Sequence, residues 1–291
     1  MRREPLRIGK IGYANVWPLF WHFNPHSVGV PVEIVEKVPA ELNADLAAGR
    51  IDMAMISSWA YARDFDRYFL FPDLSISAFG RVRSVLLFHR KPLEEVARGT
   101  VALTTSSATS VHLLDLLLVR LYGGRPAYVT LEPHLDDMLR RADAALLIGD
   151  DAIRAAWSAR GCEITDLAER WTAWTGRWMT FAVWAVREET ARERPEEVET
   201  VFRALQESKR KGNSDRGLIV RCACETFGGD ERFWREYFDG LCYEFSENQQ
   251  EGLSYFYRSA SELGLLPADI PLRMWNASER ASAGRRVKPC G

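Results

Sequence analysis

The chain lacks an uninterrupted apolar run of the roughly 18 residues that a membrane-spanning helix needs. A secretory signal pattern is missing as well. Met1 to Pro5 passes straight into a strand-like segment from Leu6, with no continuous apolar stretch and no small-residue cleavage site. Charge of one sign is not in excess, because 38 Lys and Arg stand against 40 Asp and Glu. Neither nucleic acid nor a membrane is therefore an expected partner, and any anion must be met by a local site. Cysteine is scarce: Cys162, Cys222, Cys224, Cys242 and Cys290 are odd in number and irregular in spacing, which excludes a disulfide framework. Cys222 and Cys224 have no His or second Cys pair at zinc spacing, and His22 and His26 are interrupted by Pro25. No phosphate loop, dinucleotide fingerprint or nucleophile elbow is present. A protein of the reducing cytoplasm, with no metal and no cofactor, is the expectation.

What is present is ordinary globular composition, 47% hydrophobic and 27% charged, over 291 residues. Strand-like and helix-like segments alternate through the first two thirds, which points to parallel βαβ units and an α/β class. Apolar strands are expected at Leu6–Gly12, Val32–Val38, Asp52–Ile56, Leu74–Phe79 and Val82–His89. The pattern restarts near Arg90, with strands at Thr100–Thr104, Ala127–Leu131, Ala144–Ile148 and Glu163–Asp166, and ends on Thr180–Arg187 before a helical remainder. The segments Val82–His89 and Thr180–Arg187 bracket the second set, so they are the expected crossovers of a two-lobed fold. One lobe then comprises residues 1–88 and 187–291, the other 89–186. A central cleft between them is the natural ligand site, since strand C-termini and helix N-termini converge there.

The densest polar cluster is Thr104-Thr105-Ser106-Ser107-Ala108-Thr109-Ser110, between a strand and a helix. One helix cap needs one such residue. Hydroxyls in this number, beside free N–H groups and the positive end of a helix dipole, favour a carboxylate or phosphate. Asn15 follows the first strand, and Ser57 and Ser58 follow the third; for each, cap and ligand contact are both open. Ser84 places a hydroxyl within an apolar strand, where it needs a partner if buried. In Ile148-Gly149-Asp150-Asp151 the glycine permits close backbone approach, and one Asp is expected to cap the helix. Residues alone thus describe a two-lobed α/β protein closing on a small anion with hydroxyls, an amide and backbone groups.

These segments resemble a known family. Arg7-Ile-Gly-Lys-Ile-Gly-Tyr-Ala-Asn15-Val-Trp-Pro-Leu19 is similar to its opening motif. Pro72-Asp-Leu-Ser-Ile-Ser77, Gly80-Arg-Val-Arg-Ser84-Val85, the Thr105–Val111 cluster and Leu146-Leu-Ile-Gly-Asp-Asp-Ala152 follow in the family's order. Asp166-Leu167, Trp171, Thr175-Gly176 and Phe181-Ala-Val-Trp184 complete the set, and the likeness spans roughly residues 6–265. The family is that of the chorismate dehydratases of the futalosine route to menaquinone. The resemblance implies a fold like type II periplasmic binding proteins and removal of water from chorismate to give 3-[(1-carboxyvinyl)oxy]benzoate. It implies Asn15 as the catalytic residue, orienting a substrate whose own enolpyruvyl carboxylate takes the proton. Ser84, Ser106, Ser107 and Thr109 would hold carboxylates, Gly149 would offer its backbone, and Ser57 and Asp150 complete the substrate-binding set.

Three other readings compete. A solute-binding protein shares the fold but needs export. A regulator's effector domain would need a helix-turn-helix, and none precedes Leu6. The sibling dihydroxynaphthoate synthase would carry a cleft His and a Gly-Pro-rich motif after Gly80, and neither is seen. A small-molecule partner is expected; the oligomeric state leaves no mark on the sequence.

Overall fold

A computed structural model describes residues 4–104 and 108–276. Its strands are β1 (Leu6–Ile11), β2 (Val32–Lys37), β3 (Met53–Ser57), β4 (Tyr68–Ala78), β5 (Val85–His89), β6 (Thr100–Leu103), β7 (Ala127–Thr130), β8 (Ala144–Ile148), β9 (Glu163–Asp166) and β10 (Met179–Arg187). They form two five-stranded sheets, ordered β2-β1-β3-β10-β4 and β7-β6-β8-β5-β9. The two orders match position for position. In each sheet three parallel strands are followed by one antiparallel strand, β10 in the first and β5 in the second.

Parallel neighbours need a crossover long enough to return the chain to the same edge, and helices supply it. Burial on both faces follows, which is why β3 (MAMIS) and β8 (AALLI) are apolar runs with every residue buried. The C-terminal helices Pro195–Ser214, Arg216–Phe227, Glu231–Gly240 and Glu247–Ser261 belong with the first sheet. The Glu247–Ser261 helix packs on β10, and the Pro195–Ser214 helix on β4. No helix among the described residues is long and apolar enough to cross a membrane.

The chain passes between the sheets twice, in residues 79–84 and 167–178. The strands entered directly after these passages are β5 and β10, each lying wholly within one sheet. Boundaries at 88/89 and 186/187, as hydropathy suggests, therefore fall at the far ends of these strands. The reason is physical: β5 and β10 are buried over nearly their whole length, so apolarity marks them as core without saying in which sheet. Strand β4 is longer than the Leu74–Phe79 segment its pattern predicts, because Pro72 masks its first half. The proline is tolerated because β4 is an edge strand whose register shifts around it, with Asp73 in the left-handed region at φ 60°. Pro195 likewise interrupts the start of the helical remainder, dividing it into Glu188–Glu193 and Pro195–Ser214.

Candidate active site

Strands β1, β3 and β8 end at one cavity between the two sheets, which encloses about 540 Å³ of atom-free space, its mouth included. Its polar wall contains Asn15, Ser57, Ser84, Ser110 and Gly149; Ile76, Val82, Phe181 and Leu241 give it an apolar side. Such a mixture, apolar with a few convergent polar groups, suits a ring carrying carboxylates.

Asn15 lies in a single 3-10 turn, Ala14–Val16, entered directly from β1. It is not a helix cap: Tyr13 holds that position, and no side chain caps the turn. The Asn15 Oδ1 atom is buried and has no hydrogen-bond partner among the described residues. A buried amide oxygen without a partner is costly, and at a cavity wall it marks a group awaiting a ligand.

Asp150 explains why the turn sits where it does. Both of its carboxylate oxygens lie 3.3 Å from the Ala14 backbone N–H, which donates to them across the gap between the lobes. Only 5% of the residue is exposed. Burial pushes its carboxyl up to about 6, against the opposing pull of the Ala14 N–H and the Arg154 charge. Asp150 is therefore off the cavity wall, behind the Asn15 turn. It does not cap its helix, Gly149–Ser158, either: Ile148 occupies that position without a side-chain bond.

Gly149 meets its expected place at the cavity but not its expected use. Its N–H is already donated to the Ser84 carbonyl at 2.8 Å. Its φ is +60°, and a Cβ there would stand 2.9 Å from the Tyr13 ring, so glycine is required twice over.

Ser84, 4% exposed, ends the first passage between lobes. Asp166 organises that passage: one oxygen accepts the Val82 and Arg83 N–H groups at 3.0 and 2.7 Å, and the other caps helix Leu167–Thr175. Arg83 takes a left-handed φ of 61°. Among the described residues Ser84 Oγ donates to the Val82 carbonyl alone, at a long 3.4 Å. That hydroxyl can turn toward a ligand at little cost.

Ser57 reaches the wall while capping helix Ser58–Arg63, accepting the Ala60 N–H at 3.1 Å. Thr109 does not reach it. Its Oγ1 is buried against the first lobe, accepting the Trp59 N–H at 3.1 Å and bonding Ser58 Oγ at 3.2 Å. One residue is about 100° of helix, and that turn carries Ser110 onto the wall instead. Ser106 and Ser107 lie outside the described residues. Beside Thr109, His112 stacks on Trp59 with ring centroids 3.6 Å apart, and burial pushes its imidazole down to about 4. Tyr13 and Ser110 line the wall without being among the expected site residues. Both left a signal, Tyr13 as part of the opening motif and Ser110 as the last residue of the hydroxyl cluster. Among the described residues, no group of three or more His, Cys, Asp or Glu could hold a metal ion.

Two lobes, an antiparallel strand inserted in each sheet and a polar cavity between them define the class of periplasmic-binding-protein-like proteins. Solved structures agree. The Archaeoglobus fulgidus protein AF1704 is 19% identical with a TM-score of 0.73, covering 89% of this chain and 98% of that one. The Escherichia coli aliphatic sulphonate binding protein SsuA is 17% identical with a TM-score of 0.66, over 94% and 92%. Within that class the chain belongs to the menaquinone biosynthesis family, whose model matches residues 6–262. Chorismate dehydratase of Thermus thermophilus is 35% identical over 277 residues, 90% of this chain and 96% of that protein. The Campylobacter jejuni chorismate dehydratase is 31% identical over 179 residues, 60% of this chain and 64% of that protein.

Proposed function

We propose that this chain is a hydro-lyase that removes water from chorismate to give 3-[(1-carboxyvinyl)oxy]benzoate. The observation that carries the reading is the buried, partnerless Oδ1 of Asn15 on the wall of an inter-lobe cavity, in a chain 35% identical to a chorismate dehydratase. The chemistry asked of the protein is modest. The ring proton beside the enolpyruvyl ether leaves, its electron pair forms a new ring double bond, and the neighbouring C–O bond breaks. The proton taken up by the base balances the hydroxyl that departs, so that one water is lost overall, and aromatisation drives the step.

The polar groups of the wall are hydroxyls, one amide and backbone; among its described residues the Tyr13 phenol is the one ionisable side chain. A base on the substrate itself suits that lining, and the enolpyruvyl carboxylate is within the same molecule. The protein's part is then orientation, which converts an encounter into a near-attack geometry. Asn15 holds that carboxylate or the departing hydroxyl. Ser84, Ser110 and the Ser106–Ser107 pair hold carboxylates, and Ser57 borders the same space. The lobes, each built around one sheet, close on the substrate. A cytoplasmic location suits the unpaired Cys162, Cys222, Cys224 and Cys242.

Incubating the purified chain with chorismate and weighing the product by mass spectrometry tests this. Loss of one water, with a benzenoid absorbance, is expected. Tight binding of chorismate with no change of mass would make the chain a binding protein and end the enzyme reading.

A further inference from the structure

Behind Ser84 stands a group that takes no part in holding the substrate. Helix Glu231–Gly240 lies against the first passage between the lobes, and three of its residues meet that passage in sequence. Glu236 accepts the Arg83 guanidinium at 2.8 Å. Gly240 sits so close to the Arg81 carbonyl that a Cβ would stand 3.1 Å from it. Tyr237, on the same side of the helix as Gly240, is fully buried. Among the described residues no group meets its hydroxyl in hydrogen-bond geometry; burial and the Asp150 charge push its phenol up, and the Ser84 hydroxyl beside it pulls against them.

The ring of Tyr237 needs no hydroxyl for its packing. Trp234, Phe233 and Phe238 surround it, with ring centroids at 5.5, 6.3 and 5.2 Å. Phenylalanine would fill the same space without burying an unpaired O–H, so the hydroxyl is a liability unless it acts. Ser84 offers the act. A serine hydroxyl donates one hydrogen bond and accepts two, and that of Ser84 now donates only through its long contact with Val82.

We propose that Tyr237 is a positioning residue for the reaction, acting through Ser84. When Ser84 turns its proton toward a substrate carboxylate, one of its lone pairs accepts the Tyr237 O–H. The chain Tyr237 to Ser84 to carboxylate polarises each bond along it and fixes the serine rotamer. Leu241, the next residue after the helix, lies on the cavity wall beside Ser84, so helix and serine report on the same space. Tyr237 itself never touches the substrate.

The inference rests on the chorismate reading, and a double-mutant cycle separates the two. The full chain, Tyr237→Phe, Ser84→Ala and the double variant are compared by initial rates with chorismate, with folding checked by melting. Tyr237→Phe is expected to lower kcat/KM about ten-fold, more through kcat than KM, with an unchanged or higher Tm. In the Ser84→Ala background the same change should alter kcat/KM less than about two-fold. An equal loss in both backgrounds, or parent kinetics for Tyr237→Phe, overturns the role of Tyr237 while leaving the enzyme reading intact. A parent chain that leaves chorismate unchanged overturns both.

Discussion

Strands β3 and β8 hold the same place in their sheets, yet they finish differently at the cavity. After β3, Ser57 caps its helix and is itself held by Asn43, whose side chain meets both the Ser57 N–H and its hydroxyl. After β8, no side chain caps the helix; Gly149 turns left-handed and Asp150 reaches across to Ala14 in the other lobe. Ser57 is held within its own lobe, although Ser58 and Trp59 beside it meet Thr109 of the other, whereas Asp150 finds its partner only across the gap. Equivalent topology thus does not mean equivalent work. The first lobe supplies a serine held from within, and the second supplies the carboxylate that seats the Asn15 turn.

Substitutions at these ends should separate the two roles. In stability the largest effect is expected at Gly149→Ala, which adds a Cβ against the Tyr13 ring at positive φ. A loss of about 2 to 5 kcal/mol in chemical denaturation follows from left-handed strain plus overpacking, with turnover reduced as well. Stability close to the parent's would mean that the β8 end tolerates movement.

Asp150 comes next and carries a pH signature. Its carboxyl titrates near 6 in the fold, up from 3.8, so the folded state binds the proton more tightly than the unfolded chain. The favourable contribution is therefore complete below about pH 4 and is lost as pH rises through 6, a change of about 2 to 3 kcal/mol. Asp150→Asn, whose amide oxygen can still accept the Ala14 N–H, should abolish that slope in melting curves taken between pH 4 and 7. Identical slopes in parent and variant would remove Asp150 from the account of closure.

The smallest effect belongs to Ser57→Ala, which removes a cap and should cost about 1 kcal/mol. Its kcat should change less than that of any second-lobe variant. A larger catalytic loss at Ser57 than at Gly149 would invert the comparison.

Much of this was legible in the chain. The buried runs of β3 and β8 declared themselves because parallel strands are apolar on both faces. Asn15, Ser57, Ser84 and Gly149 were found by their position after or beside strands, and each lies on the cavity wall. What stayed hidden depends on geometry that pattern does not carry. A run of hydroxyls at a helix start does not reveal its phase, so Thr109 and Ser110 could not be told apart. Asp150 at a helix start reads as a cap until its partner in the other lobe is seen. Tyr237 in a helix rich in aromatic residues reads as core, and it is core; only its approach to Ser84, remote in sequence, gives the hydroxyl a meaning.

The central claim is that the enzyme works by orienting its substrate through a polar group left unpaired for that purpose. Asn15→Leu tests it most directly, because it keeps approximate volume and removes the amide. With folding confirmed by melting, kcat and KM for chorismate should part company, kcat falling at least about a hundred-fold while KM changes less than about ten-fold. If the variant turns over chorismate at the parent rate, Asn15 is part of the wall and nothing more, and orientation by that side chain is not how the reaction is accelerated.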